Sequence, residues 1–262
     1  MAARSRSLRG FSLVELSVVL VIIGLMVGGI MYGRSVIKAA ELRKVNNQIT
    51  QITGAIYAFR TKYSYLPGDM PNATKFWGAL DGSTGTTNAC STTVGSGTLT
   101  CNGDGDNSLA NITYASERLM AWKHMVNAGM VEGNYTGYGD GTLGGYTNSY
   151  ADINSPKTIR EGRVFLSTAN SYTAVQQFPF DSGTQLILRI GGVIDNGTPR
   201  GPLFTPEEQS NLDSKYDDGK PAYGTMRGAI NSYNGCSTTD VATTAAYAVS
   251  SSDRLCFIDL FL

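Results

Sequence analysis

From Leu16 to Gly33 the chain runs for 18 residues without a charge. As a helix, that run spans roughly 27 Å, close to the hydrocarbon thickness of a bilayer at about 30 Å. Arg4, Arg6 and Arg9 precede it, and the first acid is Glu15. This asymmetry predicts a single-pass segment over about 14–33, with the N-terminus in the cytoplasm and the rest crossing outward. A cleavable secretory signal is the competing reading. Against it, no small-x-small pattern follows the apolar run, which continues unbroken into a helical pattern. Leu42, Val45, Ile49, Ile52, Ile56, Phe59 and Tyr63 recur at intervals of three and four, a stripe on one helix face. The first proline is Pro67. The spacing therefore predicts one helix over 11–65, membrane-embedded in its first half and amphipathic in its second. "LPGD" at 66–69 is the expected stop, because proline cannot continue the helix and glycine accepts positive φ.

Glu15 is the anomaly in this segment. A carboxylate at the edge of an apolar span is costly unless it stays at the interface or finds a partner. At the cytoplasmic interface it would be solvated; inside an array of packed helices it would need a compensating charge.

"RGFSLVELSVVLVIIGLMVGG", residues 9–29, resembles the N-terminus of type IV pilins and pseudopilins. The resemblance rests on Gly10, then Phe11, then Glu15 opening an uninterrupted apolar helix. It implies a leader over 1–10, removed by prepilin peptidase between Gly10 and Phe11, with methylation of the new N-terminal amine. It also implies a role for Glu15 in assembly, pairing with the Phe11 amine of a neighbouring subunit. Gly24, Gly28, Gly29 and Gly33 would let such helices approach closely. Relatives often carry a proline near Tyr32; this chain has none.

"KYSYLPGDMPNATKFWGAL" (62–80), "CNGDGDNS" (101–108), "SERLMAWKHMVNAGMVEGNY" (116–135) and "LDSKYDDGKPAYG" (212–224) resemble a pilin-like subgroup. They bring no established activity. The implied fold is α+β and pilin-like. A long N-terminal helix would pack against a mostly antiparallel sheet, with long loops and short extra helices filling a globular part over 66–262.

Local patterns agree. Residues 116–130 predict a short helix with Leu119, Trp122 and Val126 on one face and Gly129 at its end. A second runs from about 206 to 217. Thr205 is its N-cap, Pro206 takes the first helical position and Glu208 completes a capping box. β-branched and aromatic content predicts strands over 163–169, 171–178, 185–195 and 254–261. Most of the 31 glycines lie beyond residue 78, among Ser, Thr, Asn and Asp, so much of this part should be loops.

The four cysteines are Cys90, Cys101, Cys236 and Cys256. On the exported side an even number reads as disulfides. We expect Cys90–Cys101 and Cys236–Cys256. Both close short loops, and the second resembles the C-terminal disulfide loop of many pilins. A zinc site is the alternative, but the chain has no Cys-x-x-Cys and only one histidine.

"NGDGDNS" sets Asn102, Asp104, Asp106 and Ser108 at alternate positions, as the first half of a calcium loop does. Asn107 and Thr113 stand where the full loop needs glycine and glutamate, and Glu117 is a further candidate ligand. Calcium is thus one reading and a polar turn the other. Catalytic constellations are missing: no nucleophile elbow, no Ser-x-x-Lys and no phosphate loop. His124 is expected to be a partly exposed structural residue. Basic and acidic residues balance at 21 each, and no basic cluster beyond residue 45 points to nucleic acid.

Three functions are in view. The first is a structural subunit: a minor pilin of a type IV filament, or a pseudopilin of a type II secretion system. It would sit in the bacterial inner membrane before joining a periplasmic pseudopilus or surface filament. Its partners would be prepilin peptidase, other pilin subunits and the inner-membrane assembly platform. The second is a filament-borne adhesin or DNA-uptake subunit, and the third a membrane-anchored enzyme.

Overall fold

The computed structural model describes residues 12–80, 96–109, 111–112, 115–137, 154–168, 185–193, 201–228, 235–239 and 243–262. Helix α1 runs from Leu13 to Tyr63 without interruption. Compact packing divides the chain inside this helix, into one unit ending at Lys44 and another from Val45 to Leu262. In the first unit α1 exposes its apolar side chains all round, from Leu13 to Ile37. Among the described residues it is the one helix long and apolar enough to cross a membrane.

In the second unit the apolar stripe is buried at Val45, Ile49, Ile52, Ile56 and Phe59. Helix α1 ends two residues before the expected stop. Ser64, with φ +64°, takes the left-handed position, and its N–H donates to the Arg60 carbonyl at 2.8 Å. Gly68 has a different task. Its φ is +96°, and a Cβ there would lie 2.1 Å from the Glu117 carbonyl oxygen. The glycine is required by close approach, not by the helix end.

After α1 come α2 (Ala73–Trp77), a small antiparallel pair β1 (Asn111–Ile112) and β2 (Ala115–Ser116), and α3 (Glu117–Asn127). Gly129, with φ +72°, follows α3 as expected. The main sheet is antiparallel and four-stranded, built from β3 (Arg163–Thr168), β4 (Leu186–Gly191), β5 (Met226–Gly228) and β6 (Ile258–Phe261). Its strand order is β3-β4-β6-β5. The architecture is α+β, as the sequence implied.

The strand expectations are trimmed at their ends. Of 254–261 only Ile258–Phe261 joins the sheet, because the Leu255 and Cys256 amides donate to the Phe204 carbonyl instead. Beyond β4, Gly192 exchanges hydrogen bonds with Gly201. The expected strand over 171–178 lies outside the described residues.

Both sheet faces are buried. One carries Val164, Leu166, Leu188, Ile190, Ile258, Leu260 and Met226, all buried apolar side chains. On the other, Arg189 of β4 pairs with Asp259 of β6 in a two-pronged contact, both bonds at 2.5 Å.

Helix α4 (Pro206–Tyr216) begins as the sequence dictates. Thr205 accepts the Glu208 N–H, and the Glu208 carboxylate accepts the Thr205 N–H, closing the capping box. The same carboxylate receives both arms of Arg160 at 2.8 Å. Cys236 and Cys256 form a disulfide. Cys101 is also disulfide-bonded, and Cys90, its expected partner, lies outside the described residues.

Candidate functional site

Two regions carry the candidate residues. The first is the start of α1. Ser12, just ahead of the helix, accepts the Glu15 N–H on Oγ at 3.2 Å, and its own N–H donates to Glu15 Oε2 at 2.8 Å. This is a capping box of the S-x-x-E form, which satisfies two orphan amides of the first turn. The signal stood in the sequence as "SLVE". Glu15 is exposed. Among the described residues its second carboxylate oxygen, Oε1, has no hydrogen-bond partner, so one oxygen orders the helix start and the other is left open. Gly10 and Phe11 lie outside the described residues.

The second region lies beyond the end of α1, where residues 66–80, the 101–109 loop and α3 interlock. Each of the four calcium candidates takes part in a hydrogen bond within the protein. Asn102 Oδ1 accepts the Thr74 N–H at 2.9 Å, and the Ser108 hydroxyl pairs with that of Thr168 at 2.9 Å. Asp104 accepts from the Asp106 amide and Asp106 from the Ser108 amide, as in Asx turns. Alternate spacing thus lets these oxygens order the loop's own backbone and its neighbours.

Asp104 and Asp106 are joined by Asp69 and Glu117, with one oxygen from each carboxylate within 4.8 Å of the others. Asp69 and Glu117 are buried. The Asp69 carboxylate accepts three consecutive amides, Gly105 at 2.6 Å, Asp106 at 3.1 Å and Asn107 at 2.8 Å. Successive N–H groups form a concave nest, and here its occupant is the chain's own aspartate. Burial pushes Asp69 up to about 6, the Gly105 and Asn107 amides pull it down, and Asp106 and Asp104 add to the rise. Glu117 accepts the Asp104 amide at 3.0 Å. A Cβ at Gly103 would fall 2.5 Å from Asp69 backbone atoms, so glycine permits the loop to close on the turn. Sequence spacing could place Asp104 and Asp106 in one loop; nothing local linked them to Asp69, which lies 37 residues before Asp106.

His124 corrects the expectation of partial exposure: it is 0 % exposed. Its Nδ1 accepts the Gly68 N–H at 3.0 Å, so Nε2 carries the proton and donates to the Cys101 carbonyl at 3.0 Å. The ring stacks on Phe59 with an interplanar angle of 7° and lies 5.4 Å from Trp77. It thus ties the end of α1, the LPGD turn and the Cys101 loop together. Burial and the nearby Lys123 pull its pKa down to about 4, against the raising effect of the Cys101 carbonyl.

A stability prediction follows from that shift. A neutral folded histidine facing an unfolded one of pKa 6.5 loses stability as pH falls from 6.5 towards 4. The stability difference between wild type and His124→Phe should therefore narrow by roughly 3 kcal/mol over that window. Urea titrations of both proteins read by Trp77 and Trp122 fluorescence measure it. A constant difference would contradict the buried neutral ring.

Residues 5–31 match the model of the prokaryotic N-terminal methylation motif. No characterised protein and no solved structure matches the chain. The matched stretch contains Gly10, Phe11 and Glu15 and continues into the exposed apolar part of α1. The chain carries the N-terminal signature of type IV pilins and pseudopilins, which supports a pilin-like or pseudopilin protein.

Proposed function

We propose that this chain is a structural subunit, a minor pilin of a type IV filament or a pseudopilin of a type II secretion system. Prepilin peptidase removes residues 1–10, and the Phe11 amine is freed and methylated. Before assembly, α1 anchors the chain once in the inner membrane with its N-terminus inside. During assembly α1 leaves the bilayer and packs among other pilin helices through head-to-tail contacts, which extend without closing. In that array the open Oε1 of Glu15 takes the charged amine of a neighbour's Phe11, so that neither charge is buried alone.

One observation carries the reading. The methylation motif coincides with a helix whose apolar surface is exposed all round and whose first turn presents Glu15. The remaining residues act as a carried domain, with structural rather than catalytic roles for Asp69 and His124. In cells expressing the chain with its secretion or pilus machinery, it should fractionate with sheared filaments or pseudopili. Deleting the prepilin peptidase should confine it to the inner membrane. Filament association without the peptidase would refute the proposal.

A further inference from the structure

The uncharged run of α1 ends at Gly33. The stretch that follows, 34–44, carries Arg34, Lys38, Arg43 and Lys44 against one acid, Glu41. From Val45 to Leu262 the balance is reversed, with 14 basic residues against 19 acidic ones. The positive charge is therefore local to this stretch of α1. Arg34, Arg43 and Lys44 are exposed, and Lys38 is half-buried. All four lie in the unit that ends at Lys44. Removal of residues 1–10 takes away Arg4, Arg6 and Arg9, which leaves these four as the basic side chains that flank the apolar run.

The arrangement suits a lipid headgroup layer better than open water. Tyr32, 74 % exposed, stands at the boundary where aromatic side chains gather in membrane proteins. Val36 and Ile37, between the cations, are exposed apolar side chains. At about 100° per residue, Arg34 and Lys38 share one side of the helix, Arg43 lies opposite and Lys44 falls between, so anions can approach from all round. Helix Cα–Cβ bonds tilt towards the N-terminus. With the N-terminus inside, these long side chains lean back towards the bilayer, and their apolar stems lie along it. Arg34 and Lys38 are about 6 Å apart along the axis, which fits a headgroup layer of roughly 5–8 Å. Lys44 stands about 15 Å beyond Arg34, within reach of the surface through its side chain and a screening length of about 8 Å.

We propose that residues 34–44 are a cationic collar that binds the headgroups of anionic phospholipids in the outer leaflet. The collar rests on the reading of α1 as an outward-directed anchor. Arg34 and Arg43 present paired N–H donors to phosphate oxygens, while Lys38 and Lys44 act as point charges. A zwitterionic headgroup offers the same phosphate but brings its own cation, so the collar selects lipids with net negative charge. Once the leader is gone, this contact holds the processed chain at the membrane until it is drawn into an array of helices.

The test uses the full-length chain in micelles that hold equal amounts of phosphatidylglycerol and phosphatidylcholine. Native mass spectrometry counts the lipids that stay on the protein. Wild type should retain phosphatidylglycerol at least about fivefold over phosphatidylcholine, the effect of one net cation at the surface. The combined variant Arg34→Gln, Lys38→Gln, Arg43→Gln and Lys44→Gln should show a preference about fivefold below that of wild type. Both chains carry the same leader, so the difference belongs to the collar. Glu41→Gln removes the one acid of the stretch and should raise the wild-type preference at least about twofold. Equal retention in wild type, an unchanged preference in the combined variant, or no rise in Glu41→Gln would overturn the collar. Should the combined variant misfold, wild type and Glu41→Gln decide. Carbonate-resistant flotation with vesicles of phosphatidylcholine alone checks the anchor separately. A chain that integrates there yet shows no headgroup preference refutes the collar and spares the anchor; a chain that does not integrate refutes both.

Discussion

Asp259→Ala is expected to destabilise the unit from Val45 to Leu262 by about 3–5 kcal/mol. β6 lies between β4 and β5, and Asp259 faces Arg189 on one side and Arg227 on the other in register. Asp259 is 0 % exposed and Arg189 2 %. The Arg189 guanidinium also lies 5.1 Å from the Phe257 ring centre. Removing the carboxylate leaves that cation buried without its counter-charge, in a sheet whose two faces are both covered. Replacing both partners by apolar residues of similar size, Arg189→Met with Asp259→Leu, should recover most of the loss, because the ion pair itself gains little net stability. Urea unfolding monitored by tryptophan fluorescence separates the two. A loss under 1 kcal/mol for the single variant would mean that water reaches the pair.

The second large effect belongs to Glu15. Glu15→Leu should abolish incorporation into filaments while leaving membrane insertion intact, since leucine suits the bilayer better than a carboxylate. Glu15 completes the capping box with Ser12 and, in the proposed function, also pairs with a neighbour's amine; variants can divide the two. Glu15→Gln retains a side chain able to complete the capping box with Ser12, but carries no charge. Ser12→Ala weakens the cap by about 1 kcal/mol and keeps the charge. If amine pairing governs assembly, Glu15→Gln fails and Ser12→Ala assembles. The reverse pattern would make helix-start order the essential contribution. Pelleting of sheared filaments, compared with inner-membrane content, gives the readout.

What could be read from sequence follows the range of each interaction. Helix α1 and the cap of α4 rest on contacts within four residues, so stripe spacing and the Thr205–Glu208 box located them. The Ser12–Glu15 box was equally local and obeys the same rule. Strand β5 is three residues long and exists because β6 offers its edge; no pattern inside "MRG" marks it. α2 is five residues long, and Asn72 makes no side-chain cap for it.

The candidate site shows the same division. Alternate acids in "NGDGDNS" suggested converging ligands, but Asn102 and Ser108 are claimed by Thr74 and Thr168, partners 28 and 60 residues away in sequence. Asp69 and His124 gained their roles the same way, from the Gly105–Asn107 amides and from Gly68 and Cys101. A lone histidine beside a tryptophan on a helix gives no sign that three segments will close over it.

The intact mass of the chain, purified from cells that contain prepilin peptidase, tests the central claim most directly. The account predicts a chain beginning at Phe11, one methyl group heavier than its sequence and four hydrogens lighter for two disulfides. A chain retaining residues 1–10, or one cut after the apolar run, would contradict it.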